Sequence, residues 1–295
     1  MFSVLKEADL GFVMWAFLIF VVVNIILLVR WFMFIRALGL VVTFLEVLRY
    51  FFAGLFGNLF LPSAIGGDVI RILGLCHKSD QKPRVVASVI LDRLSGLSGI
   101  TVVAVLSFLF GYRLIHNNTI FIPILLMGLI AIAFIIILFN ERIYSFFVGV
   151  FSRWPKLKNA LMSVHYDLML LNDKRDKGVQ GILLSCLSQV IFCVTFYLSA
   201  RAFHQDINLV YFLVFVPIIC LAASFPSIGG LGFREASAAY LFGTIGIDTG
   251  VSVSFSLMNF LFMLVVGLCG GVFYVATFSS GRIQYPPSDA PVDAS

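Results

Sequence analysis

An all-helical, multi-pass membrane protein is the fold class this sequence predicts, and three observations carry the expectation. Hydrophobic residues make up 61% of the 295 residues and charged residues 12%, with a mean hydropathy of +1.06; about a quarter of a soluble domain is charged. Apolar runs long enough to cross a hydrocarbon core about 30 Å thick recur between polar clusters. Finally, two copies of one pattern interrupt such runs in the two halves of the chain. They are Pro62-Ser63-Ala64-Ile65-Gly66-Gly67-Asp68-Val69-Ile70-Arg71 and Pro226-Ser227-Ile228-Gly229-Gly230-Leu231-Gly232-Phe233-Arg234-Glu235. A helix breaker, a glycine pair and an arginine free backbone groups and carry charge into hydrocarbon, so sequences of this kind usually line a binding site.

The apolar runs fall near residues 10–34, 40–61, 63–76, 84–110, 119–139, 179–201, 208–224, 230–246 and 251–278. The first is too long for the apolar core of a signal peptide and is followed by Arg30-Trp31, not by a small-residue cleavage site, so it reads as a retained span. The segment 140–178 holds Arg142, Arg153, Lys156, Lys158, Lys174, Arg175 and Lys177, which the positive-inside rule places in the cytoplasm. Counting crossings from there puts Lys78, Lys82 and Arg84 inside, the N-terminus outside and Arg282 inside. The order span, hairpin, span then occurs twice, over about 10–110 and 179–278, in opposite orientations joined by the crossing at 119–139. This is the pattern of an inverted-topology repeat. The second leg of the first hairpin, 63–76, is short for a crossing at 1.5 Å per residue, which favours re-entrant hairpins with tips near Pro62 and Pro226.

Two segments lie outside this scheme. Leu157, Leu161, Val164, Leu168 and Leu171 recur at helical spacing beside Lys156 and Lys158, which fits a helix on the anionic inner leaflet or a plain connector helix. The tail 279–295, with Pro286-Pro287 and Pro291, reads as polar and disordered. The rest, 1–278, reads as a single membrane domain.

Eight charged residues sit within the apolar runs or hairpin tips: Glu46, Arg49, Asp68, Arg71, Asp92, Arg93, Arg234 and Glu235. Facing lipid they would cost about 20 to 28 kcal/mol together, more than the ~5 to 15 kcal/mol margin of a typical fold. They must therefore face one another or a wet cavity. Glu46 with Arg49, and Asp68 with Arg71, are three apart and share a helical face, the former as a supporting ion pair; Asp92-Arg93 and Arg234-Glu235 are adjacent and are expected to find partners elsewhere. All seven lysines lie in predicted loops, whereas the basic residues of the core are arginines. Arginine presents a planar fork that binds phosphate or carboxylate at two points and keeps its charge when buried. Gly66-Gly67 and Gly229-Gly230 each precede a candidate half-helix, whose first N–H groups would add to an anion site. Buried carboxylate pairs that only fix hairpin geometry are the competing reading.

Other chemistry is thinly represented. The five cysteines show no CxxC or metal-ligand spacing, and His77, His116, His165 and His204 lie near loops, where surface placement is expected. There is no DxD motif, no His and Asp cluster and no nucleotide-binding glycine loop. No metal, cofactor, catalytic residue or nucleic-acid partner is expected.

Gly57-Asn58-Leu59-Phe60-Leu61-Pro62 with Gly66-Gly67-Asp68 and Arg71, then Asp92-Arg93-Leu94-Ser95-Gly96-Leu97, then Pro226 to Gly232 with Arg234-Glu235, resemble the flippase-like transmembrane family related to lysylphosphatidylglycerol synthases, over about residues 10–278. The resemblance implies a prokaryotic inner- or plasma-membrane protein that moves, or helps to move, an anionic or glycosylated phospholipid or polyprenyl-phosphate lipid between leaflets. For a lipid of this kind the candidate headgroup contacts are Asn58, Gly66, Gly67, Asp68, Arg71, Asp92, Arg93, Gly229, Gly230, Arg234 and Glu235, with Arg71, Arg93 and Arg234 binding the phosphate and Asp68, Asp92 and Glu235 orienting them or meeting a cationic headgroup. The chain stops after the membrane domain, so the aminoacyl transfer of fused relatives is not expected. Three alternatives stay open: a membrane-embedded group transferase acting on a lipid-linked substrate, a protein that presents lipid to a separately encoded enzyme, and a secondary transporter of small soluble anions. Lipid identity, direction, energy source and oligomeric state are not readable from the residues.

Overall fold

The structure is a computed structural model that describes residues 8–61, 66–79, 81–111, 121–149, 155–169, 175–225, 227 and 230–279. Among them the chain forms eleven helices and no strand. They are α1 (Leu10–Ala37), α2 (Phe44–Phe60), α3 (Gly66–Cys76), α4 (Lys82–Gly111), α5 (Phe121–Phe139), α6 (Glu141–Gly149), α7 (Pro155–Met169), α8 (Arg175–Ala202), α9 (Leu209–Ala222), α10 (Phe233–Gly243) and α11 (Thr249–Ser279). Four of them, α1, α4, α8 and α11, contain stretches long and apolar enough to cross a membrane, and α5 and α9 are shorter apolar helices. The chain is a polytopic helical membrane protein.

Local chemistry sets where the helices begin. Asp9 caps α1 by accepting from the Gly11 N–H at 2.7 Å, and Asn208 caps α9 through the Val210 N–H at 2.9 Å. At α2, Thr43 and Glu46 form a reciprocal capping box: the Glu46 carboxylate accepts from the Thr43 N–H at 2.9 Å, and the Thr43 hydroxyl accepts from the Glu46 N–H at 3.3 Å. Of the expected Glu46–Arg49 ion pair, the Glu46 carboxylate is engaged by this cap. Glu46 sits in the first turn, where its carboxylate satisfies an otherwise orphaned donor, and Arg49 is exposed. α10 starts on Gly232 at φ +87°, a left-handed conformation that glycine adopts without Cβ strain, and Glu235 accepts from the Gly232 N–H at 2.7 Å.

The elements mostly follow the predicted runs, with two informative departures. α1 continues past 34 to Ala37 because Trp31, Phe34 and Ile35 are buried, which encloses Arg30 within the helix rather than leaving it at a membrane edge. The 140–178 segment is two helices, α6 and α7, of which α7 carries most of the expected amphipathic stretch. It docks on α4 through Arg84 and Asp167 at 3.2 Å, and His165, expected at the surface, is buried against the Tyr144 ring at 4.5 Å. Leu171, the tail 280–295 and tip residues 62–65, Pro226, Ile228 and Gly229 lie outside the described residues.

The legs of the two hairpins are short. α2, α3, α9 and α10 have 17, 11, 14 and 11 residues, or roughly 25, 16, 21 and 16 Å at 1.5 Å per residue, against a core about 30 Å thick. Pro217 inside α9 removes one helical hydrogen bond within a fully apolar segment.

Packing joins the two halves. α1 and α8 form the most extensive helix pair and run antiparallel: the Asp9 N–H donates to the Ala202 carbonyl at 2.9 Å, Phe20 meets Phe192, and Arg30 reaches Ser185. α2 packs along α11, where a Cβ on Gly267 would meet Leu59 and the Leu55 carbonyl, and one on Gly270 the Phe52 carbonyl. α9 packs on α4. The largest core cluster holds Phe196, Phe212, Phe215, Phe242 and Phe255. α5 exposes Ile122, Leu125, Leu129, Ile132 and Ile136, an apolar face that suits lipid rather than water.

Candidate functional site

The charged residues of the first half form one buried chain across α1, α3 and α4. The Arg30 Nε donates to Asp92 Oδ1 at 2.7 Å, and Asp92 Oδ2 lies 3.5 Å from an Arg71 Nη. Arg71 continues to Asp68 at 3.8 Å, and Asp68 accepts from the Arg93 Nε at 2.5 Å. Arg30, Asp92, Arg71 and Asp68 are all buried, whereas the Arg93 side chain is 49% exposed. The ladder therefore starts in the apolar interior and ends at an accessible guanidinium.

Each rung has a local cause. Asp68 and Arg71 share a face of α3 by their i, i+3 spacing. Arg71 passes between two rings, its Cζ 4.3 Å from the Phe51 centroid and 5.1 Å from that of Trp31, while its Nε has no hydrogen-bond partner among the described residues. The aromatic faces stabilise the cation where water is excluded. On α4, Asp92, Gly96 and Gly99 recur at helical spacing. Gly96 lies beside the Arg30 guanidinium, and Gly99 lets α4 touch Ser185 and the Cys186 backbone of α8. Ser185 in turn accepts from an Arg30 Nη at 2.8 Å, which ties the ladder to the second half.

The first hairpin tip is held by close backbone approach. The Gly67 N–H donates to Asn58 Oδ1 at 2.8 Å, so the Asn58 amide, and not a ligand, occupies one of the donors at the start of α3. A Cβ on Gly54 would lie 2.8 Å from the Gly67 carbonyl, and one on Gly66 would meet Leu61. Gly66 and Gly67 thus let α2 and α3 pack, rather than offering a free pair of N–H groups.

The second tip is built differently. Arg234 donates from Nε and Nη2 to one oxygen of Glu235, at 3.1 and 2.9 Å, and its Cζ lies 5.2 Å from the Phe260 ring centroid. The adjacent residues pair with each other, against expectation, because the second Glu235 oxygen is fixed by the Gly232 N–H and leaves the first turned toward Arg234. Gly230 is left-handed at φ +78° and lies over Ala223.

A cavity of about 220 Å³ lies where the two halves of the chain meet. Asn58 and Arg93 reach it from the first half, and Gly230, Arg234 and Ser227 from the second; Phe192, Phe196, Ile219, Cys220, Ala223, Ser224 and Met263 complete the wall. Two guanidinium groups and a few hydroxyls on an otherwise apolar wall can bind an anionic group attached to an apolar body.

Of the residues singled out in the sequence, Asn58, Arg93, Gly230 and Arg234 line the cavity. Asp68, Arg71 and Asp92 stand behind Arg93, Glu235 orients Arg234, and Gly66 and Gly67 shape the tip. Glu46 and Arg49 are near the far end of α2 from Asn58, and Gly229 lies outside the described residues. Arg30 and Ser185 were missed. The signal for Arg30 is the apolar turn that follows it, Trp31-Phe32-Met33-Phe34, which marks an arginine inside a helix rather than at its end. Among the described residues no group of three or more His, Cys, Asp or Glu side chains is placed to hold a metal ion.

Comparison with known proteins agrees with this architecture. A UPF0104 membrane protein of Pyrococcus horikoshii is 23% identical over 300 residues, which cover 92% of this chain and 88% of that protein. No solved structure matches. The family model described as the lysylphosphatidylglycerol synthase transmembrane region matches residues 1–271, and with that coverage the chain belongs to the lysylphosphatidylglycerol synthase transmembrane-region family.

Proposed function

We propose that this protein binds the phosphate-bearing headgroup of an anionic or glycosylated phospholipid, or of a polyprenyl-phosphate lipid, in the cavity where the two halves of the chain meet and moves it between leaflets. The observation that carries the reading is the convergence of Arg93 and Arg234, one from each half of the chain, on a single cavity with an apolar wall. Three further features support it. The first spans of the two halves, α1 and α8, are antiparallel neighbours, and α2 on α11 mirrors α9 on α4, as expected of inverted repeats. The hairpin legs are shorter than the hydrocarbon core, as expected of re-entrant elements whose tips meet at depth. Rocking of one repeat against the other would expose the cavity to each leaflet in turn without new chemistry. The cell membrane, with the N-terminus outside and the C-terminus in the cytoplasm, is the proposed setting.

Reconstitution into vesicles with fluorescent lipids of varied headgroup tests the proposal. Movement should exceed that in protein-free vesicles for phosphate-bearing lipids and should fall in Arg93→Ala and Arg234→Ala. No transbilayer movement for any headgroup would refute it. The matched family is described as the membrane region of a synthase, which favours a second reading in which the lipid is presented to a separately encoded lipid-modifying enzyme. Co-purification of such an enzyme, with no movement in vesicles, would select that reading. A product formed by the purified protein only when a nucleotide sugar is added would select a transferase instead.

A further inference from the structure

A band of small polar side chains is buried in the apolar second half. Thr195 and Ser199 on α8 and Ser252, Ser256 and Asn259 on α11 are all buried, and the three on α11 share one helical face by their spacing. Both Nδ2 protons of Asn259 are engaged, by the Phe255 carbonyl at 2.9 Å and the Ser199 hydroxyl at 3.2 Å. A carbonyl can only accept, so the amide nitrogen is fixed on that side and Oδ1 faces away from it. Asn259 Oδ1 and Ser256 Oγ have no hydrogen-bond partner among the described residues. The neighbouring hydroxyls spend their protons one turn back: Ser199 donates to the Thr195 carbonyl at 2.9 Å, Thr195 to Ile191 at 3.3 Å and Ser252 to Asp248 at 3.0 Å. Of these five side chains, only Ser256 has a proton left to give, and the band offers oxygen lone pairs. Buried oxygens in this state cost free energy unless water or a cation meets them.

The first half meets the same need with arginine. Counted from the helix starts, Asp92 is the eleventh residue of α4 and Asn259 the eleventh of α11. Each bonds to the first span of its own half, Asp92 to Arg30 on α1 and Asn259 to Ser199 on α8. The second Asp92 oxygen faces Arg71, the sixth residue of α3, whereas the sixth residue of α10 is Ala238. Asn259 therefore has a hydroxyl where Asp92 has one guanidinium, and its oxygen has no arginine at the position of the other. We propose that Asn259 Oδ1 and Ser256 Oγ bind a sodium ion within the second half, with water completing its shell. Sodium is a hard cation that takes neutral oxygens. α11 contains no acidic or basic residue, so a single charge is the least costly to bury there and a divalent ion would bring twice the uncompensated charge. The inference does not depend on what the cavity takes.

Thermal unfolding of the full chain in detergent tests the site, with sodium chloride replaced stepwise by choline chloride at constant ionic strength. Choline is too bulky to be held by two side-chain oxygens one turn apart. Sodium should raise the unfolding midpoint along a saturation curve, and radioactive sodium should bind the purified protein at about one ion per chain. Ser256→Ala removes one ligand with little other disturbance and should need about tenfold more sodium for the same shift. Asn259→Asp adds a charge to the other ligand and should need about tenfold less. No saturable response to sodium, or a response in Ser256→Ala equal to that of the wild type, would overturn the inference and leave the two oxygens to ordered water. Should Asn259→Asp fail to fold, Ser256→Ala decides alone, since it deletes a hydroxyl without a partner and leaves the packing in place. Sodium binding by a protein that moves no lipid in vesicles would leave this inference standing and refute translocation instead.

Discussion

Arg71 shows how far a residue's chemistry and its position can diverge. Its type and neighbours mark it as a headgroup ligand, yet it lies between Trp31 and Phe51, bridges Asp68 and Asp92, and is withdrawn from the cavity wall. Its work is to hold two carboxylates in register so that Asp68 can fix Arg93. Arg71→Lys should keep the charge but lose the stacked planar fork, at a cost of about 1 to 2 kcal/mol. Arg71→Met should cost more, about 3 to 5 kcal/mol, because it leaves two buried carboxylates short of a partner. Thermal unfolding in detergent checks the order. Equal stability of both variants with the wild type would remove Arg71 from the ladder.

Among the elements, the first hairpin depends on glycine for packing. α2 and α3 approach until Gly54 faces the Gly67 carbonyl and the Gly67 N–H reaches Asn58. Gly67→Ala would drive a methyl group into the Gly54 carbonyl and the Asn58 amide, an overpacking that costs about 1 to 3 kcal/mol. Asn58→Ala removes one donor's partner and costs about 0.5 to 2 kcal/mol. Because both changes loosen the same tip, the double variant should lose less than the sum, which denaturation of the three variants measures. Additive losses would mean that the two residues act independently. The repeated Pro, Gly and Arg pattern was legible as two breaks between short helices, α2 from α3 and α9 from α10, because breakers inside apolar runs are rare. Which glycines pack and which line the cavity was not, since the distinction lies in what stands opposite each one.

Over the whole molecule, antiparallel pairing of α1 with α8 ties the two halves along their length, and the ladder crosses that seam at Arg30 and Ser185. The proposed orientation puts the α3–α4 connection in the cytoplasm and the α8–α9 connection outside. Single cysteines at Gln81 and Asp206, both exposed, in a background without native cysteines, should then label from the inside and the outside respectively with a membrane-impermeant maleimide. The reverse pattern would invert the topology, and labelling of both from one side would remove the opposite orientation of the halves.

Composition and hydropathy by themselves determined that the chain is a polytopic helical membrane protein, because a hydrocarbon solvent imposes long apolar runs and internally satisfied backbones. The order of the motifs in the chain likewise determined the family. Tertiary structure alone decided how the charges are shared. Asp92 turns to Arg30 on α1 rather than to a neighbour in sequence, Arg234 keeps Glu235, and of the described charged residues Arg93 and Arg234 reach the cavity. The reason is geometric: spacing along one helix tells which side chains share a face, whereas the partner of a buried charge is set by the helix packed against that face, and here it comes from residues 62 positions away in one case and 155 in another.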